Sequence, residues 1–282
     1  EETDPNAFRA DLTYATGVFK APLMDERNRV YTGRCRYIDL GFFQQKRPDA
    51  TWNVLVPGRL LCTGGMRPVL TDKRSYGHLL IMGGSVRMPG ALLMAVRAAI
   101  QSGVGLVSVV APQSLYAALA AQVPEAMWIP WADTEDGGLA LEGLSVLREL
   151  EGRIDAFLVG PGMGRGTETQ ALMDEAVDLL KVPVVMDADA LMPDRVRRLG
   201  KDRPGQVVIT PHRGEFERVS GFSSVDGDAF EAFRSYCDSA GVVGLLKGPL
   251  SIVSAGGKGW ISAHGGPVLA RGGSGDILAG LV

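Results

Sequence analysis

His78-Leu-Leu-Ile-Met-Gly-Gly-Ser85, then Pro89 to Ser102, then Leu106-Val-Ser-Val-Val110, is the stretch that decides the fold class. The first five residues form an unbroken apolar run, too short for a helix and closed by glycines, so they predict a buried strand ending in a turn at Gly83-Gly-Ser85. Pro89 stands where a helix accepts proline, at its start, and predicts a helix over 89–102. Leu106-Val110 predicts the next strand, which completes a βαβ unit. The arrangement recurs downstream. Ala156-Phe-Leu-Val159 runs into Gly160-Pro-Gly-Met-Gly164 and a helical Thr167 to Leu180; Pro183-Val-Val-Met186 runs into Asp187-Ala-Asp189. Val207-Val-Ile209 runs into Thr210-Pro-His-Arg-Gly-Glu215, and Val242-Val-Gly-Leu-Leu246 into Lys247-Gly-Pro-Leu-Ser251. Strands that are continuous Val/Ile/Leu runs, each followed by a polar loop and a helix, predict an α/β fold whose mostly parallel central sheet is covered on both faces. Ligands of such sheets bind beyond the carboxyl ends of the strands, so these loops are where chemistry is expected.

Upstream of residue 77 the pattern differs. Residues 1–43 read as extended, with Ala10-Asp-Leu-Thr-Tyr14 and Arg34-Cys-Arg-Tyr-Ile-Asp-Leu40 separated by a proline- and charge-rich loop. Gln44-Gln-Lys-Arg-Pro-Asp49 has the composition of a linker, which divides the chain into 1–43 and 44–282. Composition excludes several function classes. With 46% hydrophobic and 22% charged residues, the 282-residue chain is no disordered tail. A formal net charge of −3 without a basic patch gives no basis for a nucleic-acid or membrane-surface role. Cys35, Cys62 and Cys237 are odd in number and far apart, which suits neither a disulfide framework nor a zinc site and points to a reducing, cytoplasmic setting. The chain shows no signal peptide and no apolar run of ~18 residues. Glycine is the outlier: 37 residues, about 13% of the chain against the usual ~7%, clustered after apolar runs.

Gly272-Gly-Ser-Gly-Asp-Ile-Leu-Ala-Gly280 carries the sharpest chemical signal. Small residues leave backbone amides exposed, and a helix expected from Ile277 would aim its dipole at the same spot, which makes an anion hole. Asp276 there suits a base that takes a proton from a hydroxyl attacking phosphate, or a plain helix cap. No P-loop occurs, and Gly160-Pro-Gly162-Met-Gly164 has the wrong spacing for a dinucleotide fingerprint. His212 is the one histidine in a strand-end loop; His78 begins a strand and His264 lies in a glycine-rich turn, and no ligand spacing supports a metal role. Asp187 and Asp189 fit either water-mediated contact with a Mg²⁺-bound phosphate or capping of the next helix. Lys247 fits pairing with a phosphate or plain solvation.

Eight motifs in order resemble the ADP/ATP-dependent NAD(P)H-hydrate dehydratases, a family with the ribokinase-like αβα fold. They are Tyr76 to Ser85, Met88-Pro-Gly-Ala91, Gly103-Val-Gly-Leu106, Val159 to Gly164, Asp187-Ala-Asp-Ala-Leu191, Thr210 to Glu215, Lys247-Gly248 and Gly272-Gly-Ser-Gly-Asp276. The resemblance runs from about residue 50 to the end. It implies repair of hydrated NADH or NADPH: the ring hydroxyl of the S-form is phosphorylated by ADP or ATP, with Mg²⁺, and phosphate then leaves. It implies Asp276 as the base and the Gly273, Ser274 and Gly275 amides as the phosphate hold. Ala91, Gly164 and His212 would line the hydrate site, and Lys247, Gly248, Pro249, Leu250, Ser251 and Gly275 the nucleotide site. Asp4 to Thr13, Gly33 and Ile38-Asp-Leu-Gly41 are similar to the closing strands of the NAD(P)H-hydrate epimerase domain that many bacteria fuse ahead of the dehydratase. Residues 1–43 are therefore expected to be a remnant of that domain without epimerase activity. Six residues follow Asp276, so residues 44–282 are expected to be a dehydratase domain truncated at its carboxyl end, in a homo-oligomeric protein.

The chain departs from the family pattern at two places. Gly265-Gly-Pro-Val-Leu-Ala270 stands where the family usually has Gly-Asn-Pro-x-Met-Ala, and Arg213 replaces the usual proline of the histidine loop. A kinase of a small alcohol or vitamin precursor such as hydroxyethylthiazole is the alternative on the same fold; a non-catalytic nucleotide binder is the alternative of another class.

Overall fold

The structure, a computed structural model, describes residues 4, 6–41, 52–55, 65, 67–223 and 228–282. The linker expected at 44–49 and Cys62 lie outside the described residues.

The amino-terminal segment contributes strand β1 (Leu12–Thr16), helix α1 (Arg29–Thr32) and strand β2 (Arg34–Ile38), and β1 and β2 pair in parallel as a small sheet of their own. The segment between them is not the extended loop expected: 3₁₀ turns occupy Ala21–Met24 and Glu26–Asn28 ahead of α1. Pro22 in the first turn and the Asp25 carboxylate, which accepts from the Arg27 N–H at 2.9 Å, start these turns.

A ten-stranded sheet forms the body. Strand β3 (Trp52–Val54) lies at one edge, and the βαβ stretch gives β4 (His78–Met82), α2 (Pro89–Ser102) and β5 (Leu106–Pro112), as its sequence predicts. Helix α3 (Gln113–Ala120) leads to β6 (Met127–Trp131), whose Pro130 is tolerated because β6 is the other edge of the sheet. There follow α4 (Leu144–Leu150), β7 (Ala156–Val159), α5 (Thr167–Leu179), β8 (Val184–Met186), α6 (Pro193–Asp202), β9 (Val207–Ile209), α7 (Arg213–Ser220) and α8 (Ala229–Ala240). Strands β10 (Val243–Leu246), β11 (Ser251–Ala255) and β12 (Lys258–Ser262) precede the last helix, α9 (Ser274–Leu281).

The strand order is β3-β12-β11-β10-β9-β8-β7-β4-β5-β6, parallel throughout except at β11, which runs antiparallel to β10 and β12. Gly256 and Gly257, both at positive φ, make the two-residue turn between β11 and β12, a hairpin signal that the strand-loop-helix pattern passes over.

Alternation within the strands builds two cores. Leu80, Met82, Phe157 and Val159 face one side, where Leu172, Val196, Leu199 and Phe216 from α5, α6 and α7 cover them. Ile81, Val109 and Leu158 face the other, under Leu92, Ala95 and Val96 of α2 and Ala279 of α9. This is the αβα sandwich expected. Each such fully buried side chain contributes about 1.5–3 kcal/mol. Gly280 lets α9 press against α2, since a Cβ there would run into Ala95 O. A third cluster joins Met24 and Cys35 of the amino-terminal segment to Leu250, Ile261 and Ala263 at the antiparallel end of the sheet.

Candidate active site

The carboxyl ends of β4, β7, β8, β9 and β10 bring their loops together beside the first turn of α9. Two of these loops interlock through backbone. Gly84 N–H donates to Pro161 O at 2.8 Å, and a Cβ on Gly83 would sit 2.7 Å from that same oxygen. Gly160, at φ +119°, lies so close to Asp187 O that no Cβ fits. Ala188 holds φ +49°, the one non-glycine positive φ among the described residues, and the strained turn presents the Asp187 and Asp189 side chains to different partners. Neither caps a helix. Asp189 accepts from the Gly164 N–H at 2.9 Å and pairs with Arg165 at 3.3 Å, which fixes the Gly164 loop. Gly162 in turn packs on Met88 and Ala91, so Ala91 and Gly164 lie along one wall.

Asp187 is buried and works the other way. Its Oδ1 accepts from Thr210 Oγ1 and from Lys247 Nζ, both at 2.8 Å. Lys247 Nζ also lies 3.7 Å from Glu215 Oε2, and Lys247 N–H donates to Pro211 O at 2.8 Å, tying the end of β10 to the loop after β9. Glu215 is buried and forms a reciprocal cap with His212. The His212 N–H donates to Glu215 Oε2 at 2.8 Å, and the Glu215 N–H donates to His212 Nδ1 at 3.2 Å. His212 itself stays exposed, with Nε2 3.5 Å from Glu215 Oε1. The other expected readings of histidine also resolve. His78 places Nδ1 at 2.9 Å from Arg153 O and Nε2 at 2.8 Å from Ser108 Oγ, a structural role, and His264 is exposed.

Helix α9 begins at Ser274, three residues before the expected Ile277, with Gly273 as its cap residue at φ +88°. Asp276 therefore lies inside the first turn, and its side chain caps nothing. The Ser274 hydroxyl and N–H both turn back to Arg271 O, at 3.0 and 3.5 Å, while the helical ladder opens with Ile277 N–H on Gly273 O at 3.0 Å. The amides of Gly273 and Gly275, on either side of Ser274, have no backbone acceptor, while the Asp276 amide lies against its own carboxylate. Lys247 Nζ reaches this turn: it lies 3.3 Å from where a Cβ on Gly275 would be. Burial raises the Asp276 carboxyl above its usual range, and the nearby Asp187 charge pushes the same way, with Lys247 opposing. An aspartate made more basic beside unpaired amides and a lysine can accept a proton while those donors hold an anion.

Of the nucleotide residues expected, Lys247 and Gly275 meet here, whereas the Leu250 side chain is buried in the apolar cluster that includes Met24 and offers only main chain. Gly248 and Pro249 are exposed and Ser251 is half-buried with its hydroxyl on Gly248 O at 3.4 Å. Thr210 and Glu215 stand within motifs singled out from the sequence but carry no assigned role there, because their partners lie 23 and 32 residues distant. Among the described residues no three His, Cys, Asp or Glu side chains gather as a metal cage, and no helix is long and apolar enough to cross a membrane. A cleft of about 1180 Å³ elsewhere, between the amino-terminal segment, Trp52 and Phe230, is bordered by Glu26 and Arg213 but not by Asp276.

Comparison with known proteins gives the family and the fold. The profile of the NAD(P)H-hydrate dehydratase family matches residues 79–282. The chain is 34% identical to the ADP-dependent (S)-NAD(P)H-hydrate dehydratase of Xanthomonas campestris pv. campestris, over 75% of this chain and 72% of that protein. It is 31% identical to the bifunctional NAD(P)H-hydrate repair enzyme of Moorella thermoacetica, over 97% of this chain and 53% of that protein. The chain thus spans about half the length of the bifunctional relatives it matches. The crystal structure of the ADP/ATP-dependent NAD(P)H-hydrate dehydratase of Bacillus subtilis, co-crystallized with ATP/Mg²⁺, superposes with a TM-score of 0.66 at 26% identity, covering 81% of this chain and 78% of that one. A ribokinase-like superfamily protein of Enterococcus faecalis V583 shares the fold, with a TM-score of 0.69 at 23% identity over 84% of this chain and 80% of its own.

Proposed function

Because the chain belongs to the NAD(P)H-hydrate dehydratase family, we propose that it restores NADH and NADPH from their S-form hydrates, with ADP or ATP as phosphoryl donor. The observation that carries this reading is the placement of Asp276 in the first turn of α9, beside Lys247 and the free amide of Gly275. In the reaction Asp276 takes the proton of the ring hydroxyl as its oxygen attacks the donor's terminal phosphorus. The Gly273, Ser274 and Gly275 amides, the α9 dipole and Lys247 hold the transferring phosphate. The donor's terminal P–O bond breaks and AMP leaves from ADP, or ADP from ATP; phosphate then departs from the ring carbon where hydroxide would leave poorly, and loss of a proton from the adjacent ring carbon to solvent restores the double bond. Ala91, Gly164 and His212 line the side from which the hydrate approaches; the main chain of Lys247 to Ser251 lines the donor side.

The donor set suits a Mg²⁺ that arrives on the nucleotide, since this ion keeps several waters and needs only one or two carboxylates besides phosphate. Asp187 and Glu215 are the carboxylates that would hold its waters, and the ion would neutralise phosphate charge. Residues 1–43 correspond in this reading to the end of a fused epimerase domain, and the protein works as a cytoplasmic homo-oligomer.

The test is direct. Incubation with hydrated NADH, Mg²⁺ and ADP or ATP should restore the reduced-nicotinamide absorbance and release phosphate. Asp276→Asn should lower kcat by about 10²–10⁴-fold with nucleotide binding kept. Folded protein that restores nothing with either donor contradicts the reading.

A further inference from the structure

Three contacts place the amino-terminal segment on the loops of the candidate site. Met24 is buried in one apolar cluster with Leu250, which lies between Lys247 and Ser251. Two residues on, Glu26 Oε2 lies 3.2 Å from Arg213 Nη1, and its Oε1 lies against Gly248, 3.2 Å from where a Cβ would be. One carboxylate therefore spans the His212-Arg213 turn and the Lys247-Gly248 loop. Glu26 is three-quarters buried and stands in a 3₁₀ turn pinned by Asp25, whose carboxylate grips Arg27 at 2.6 Å. Arg213 occupies the place where the family usually carries proline, a residue that cannot pair with a carboxylate.

We propose that Glu26 is a positioning residue of the donor-nucleotide site, holding Arg213 and the Gly248 loop in the arrangement that receives the nucleotide. The inference rests on the dehydratase reading for the identity of the donor. Its chemistry is that of loop ordering: binding of a nucleotide to a preset loop avoids the ordering cost that a free loop would meet on binding. It also gives the segment outside the αβα sandwich a part in the site.

The experiment uses the full chain, with Glu26→Gln, Arg213→Gln and the double variant, and measures ADP binding with Mg²⁺ by calorimetry alongside turnover of hydrated NADH. Each single variant should raise the donor KM and the ADP Kd about fivefold, about 1 kcal/mol, with kcat changed less than twofold. The double variant should be no worse than either single one, because both remove the same contact. Additive effects or an unchanged KM overturn the proposal. So does a lowered KM, which would mean that the carboxylate acts by repelling the nucleotide. Weakened ADP binding in a protein that restores no NADH keeps this inference and removes the reaction; full turnover with unweakened ADP binding does the reverse.

Discussion

The two walls of the site are built from different materials. On the β4, β7 and β8 side, loops meet backbone to backbone: Gly84 N–H on Pro161 O, Gly160 against Asp187 O, and a strained Ala188 held between them. On the β9 and β10 side, side chains do the joining, through Asp187, Lys247, Thr210, Glu215 and His212, and at its outer rim through Glu26 and Arg213. Where backbone approaches this closely there is no slack, because a methyl added at Gly83 or Gly160 would run into Pro161 O or Asp187 O. A wall of ion pairs can exchange one partner for another. The hydrate is proposed to meet the first kind of wall and the nucleotide the second, where phosphate charge can enter a network already made of charges.

The most severe way to break this contrast is Gly160→Ala. The added Cβ meets Asp187 O at a φ of +119°, so we expect destabilisation of about 3 kcal/mol or more, seen as a large fall in Tm. A Tm within a degree of the parent would show that the backbone wall yields. Lys247→Met probes the other wall. It leaves Asp187 buried without its cation, and the expected loss is about 3 kcal/mol by denaturant titration. Adding Asp187→Asn should recover most of that stability, since a neutral pair leaves no buried charge uncompensated; a double variant as unstable as the single one would mean that shape, not charge, holds this side.

The strand-loop-helix units were legible because parallel strands buried on both faces must be unbroken apolar runs, and α2, β7 and β9 fall where those runs place them. What stayed hidden has physical reasons. Ser274, Gly275 and Asp276 are weak helix formers, so propensity starts α9 at Ile277. Tertiary packing overrides it: Ala279 and Gly280 are buried against α2, and the helix extends back to Ser274. The 3₁₀ turns at Ala21–Met24 and Glu26–Asn28 leave no periodic trace in so few residues. The Asp187-Lys247 pair joins residues 60 apart, and spacing alone left Asp187 between a phosphate role and a cap. Glu26 gives no local signal, because its partners lie some two hundred residues downstream. Asp276 and Lys247 stand out in the sequence by residue type; their approach at the first turn of α9 does not.

The smallest effect concerns stability. An acid whose folded-state pKa is raised opposes folding when ionised, and that penalty is present above the folded-state pKa and gone below the unfolded value near 3.8. Asp276→Asn should therefore raise Tm slightly at neutral pH and leave it unchanged near pH 3, while removing activity. A lowered Tm at neutral pH would make Asp276 a structural residue.

The pH dependence of kcat for hydrated NADH, measured on the parent chain and on Asp187→Asn, bears most directly on Asp276 as the base. The account predicts that kcat rises with pH through one ionisation whose midpoint lies above 3.8, and that Asp187→Asn, by removing a neighbouring negative charge and leaving Lys247 to act alone, moves this midpoint down. A midpoint at or below 3.8, or one that Asp187→Asn leaves in place, would contradict it.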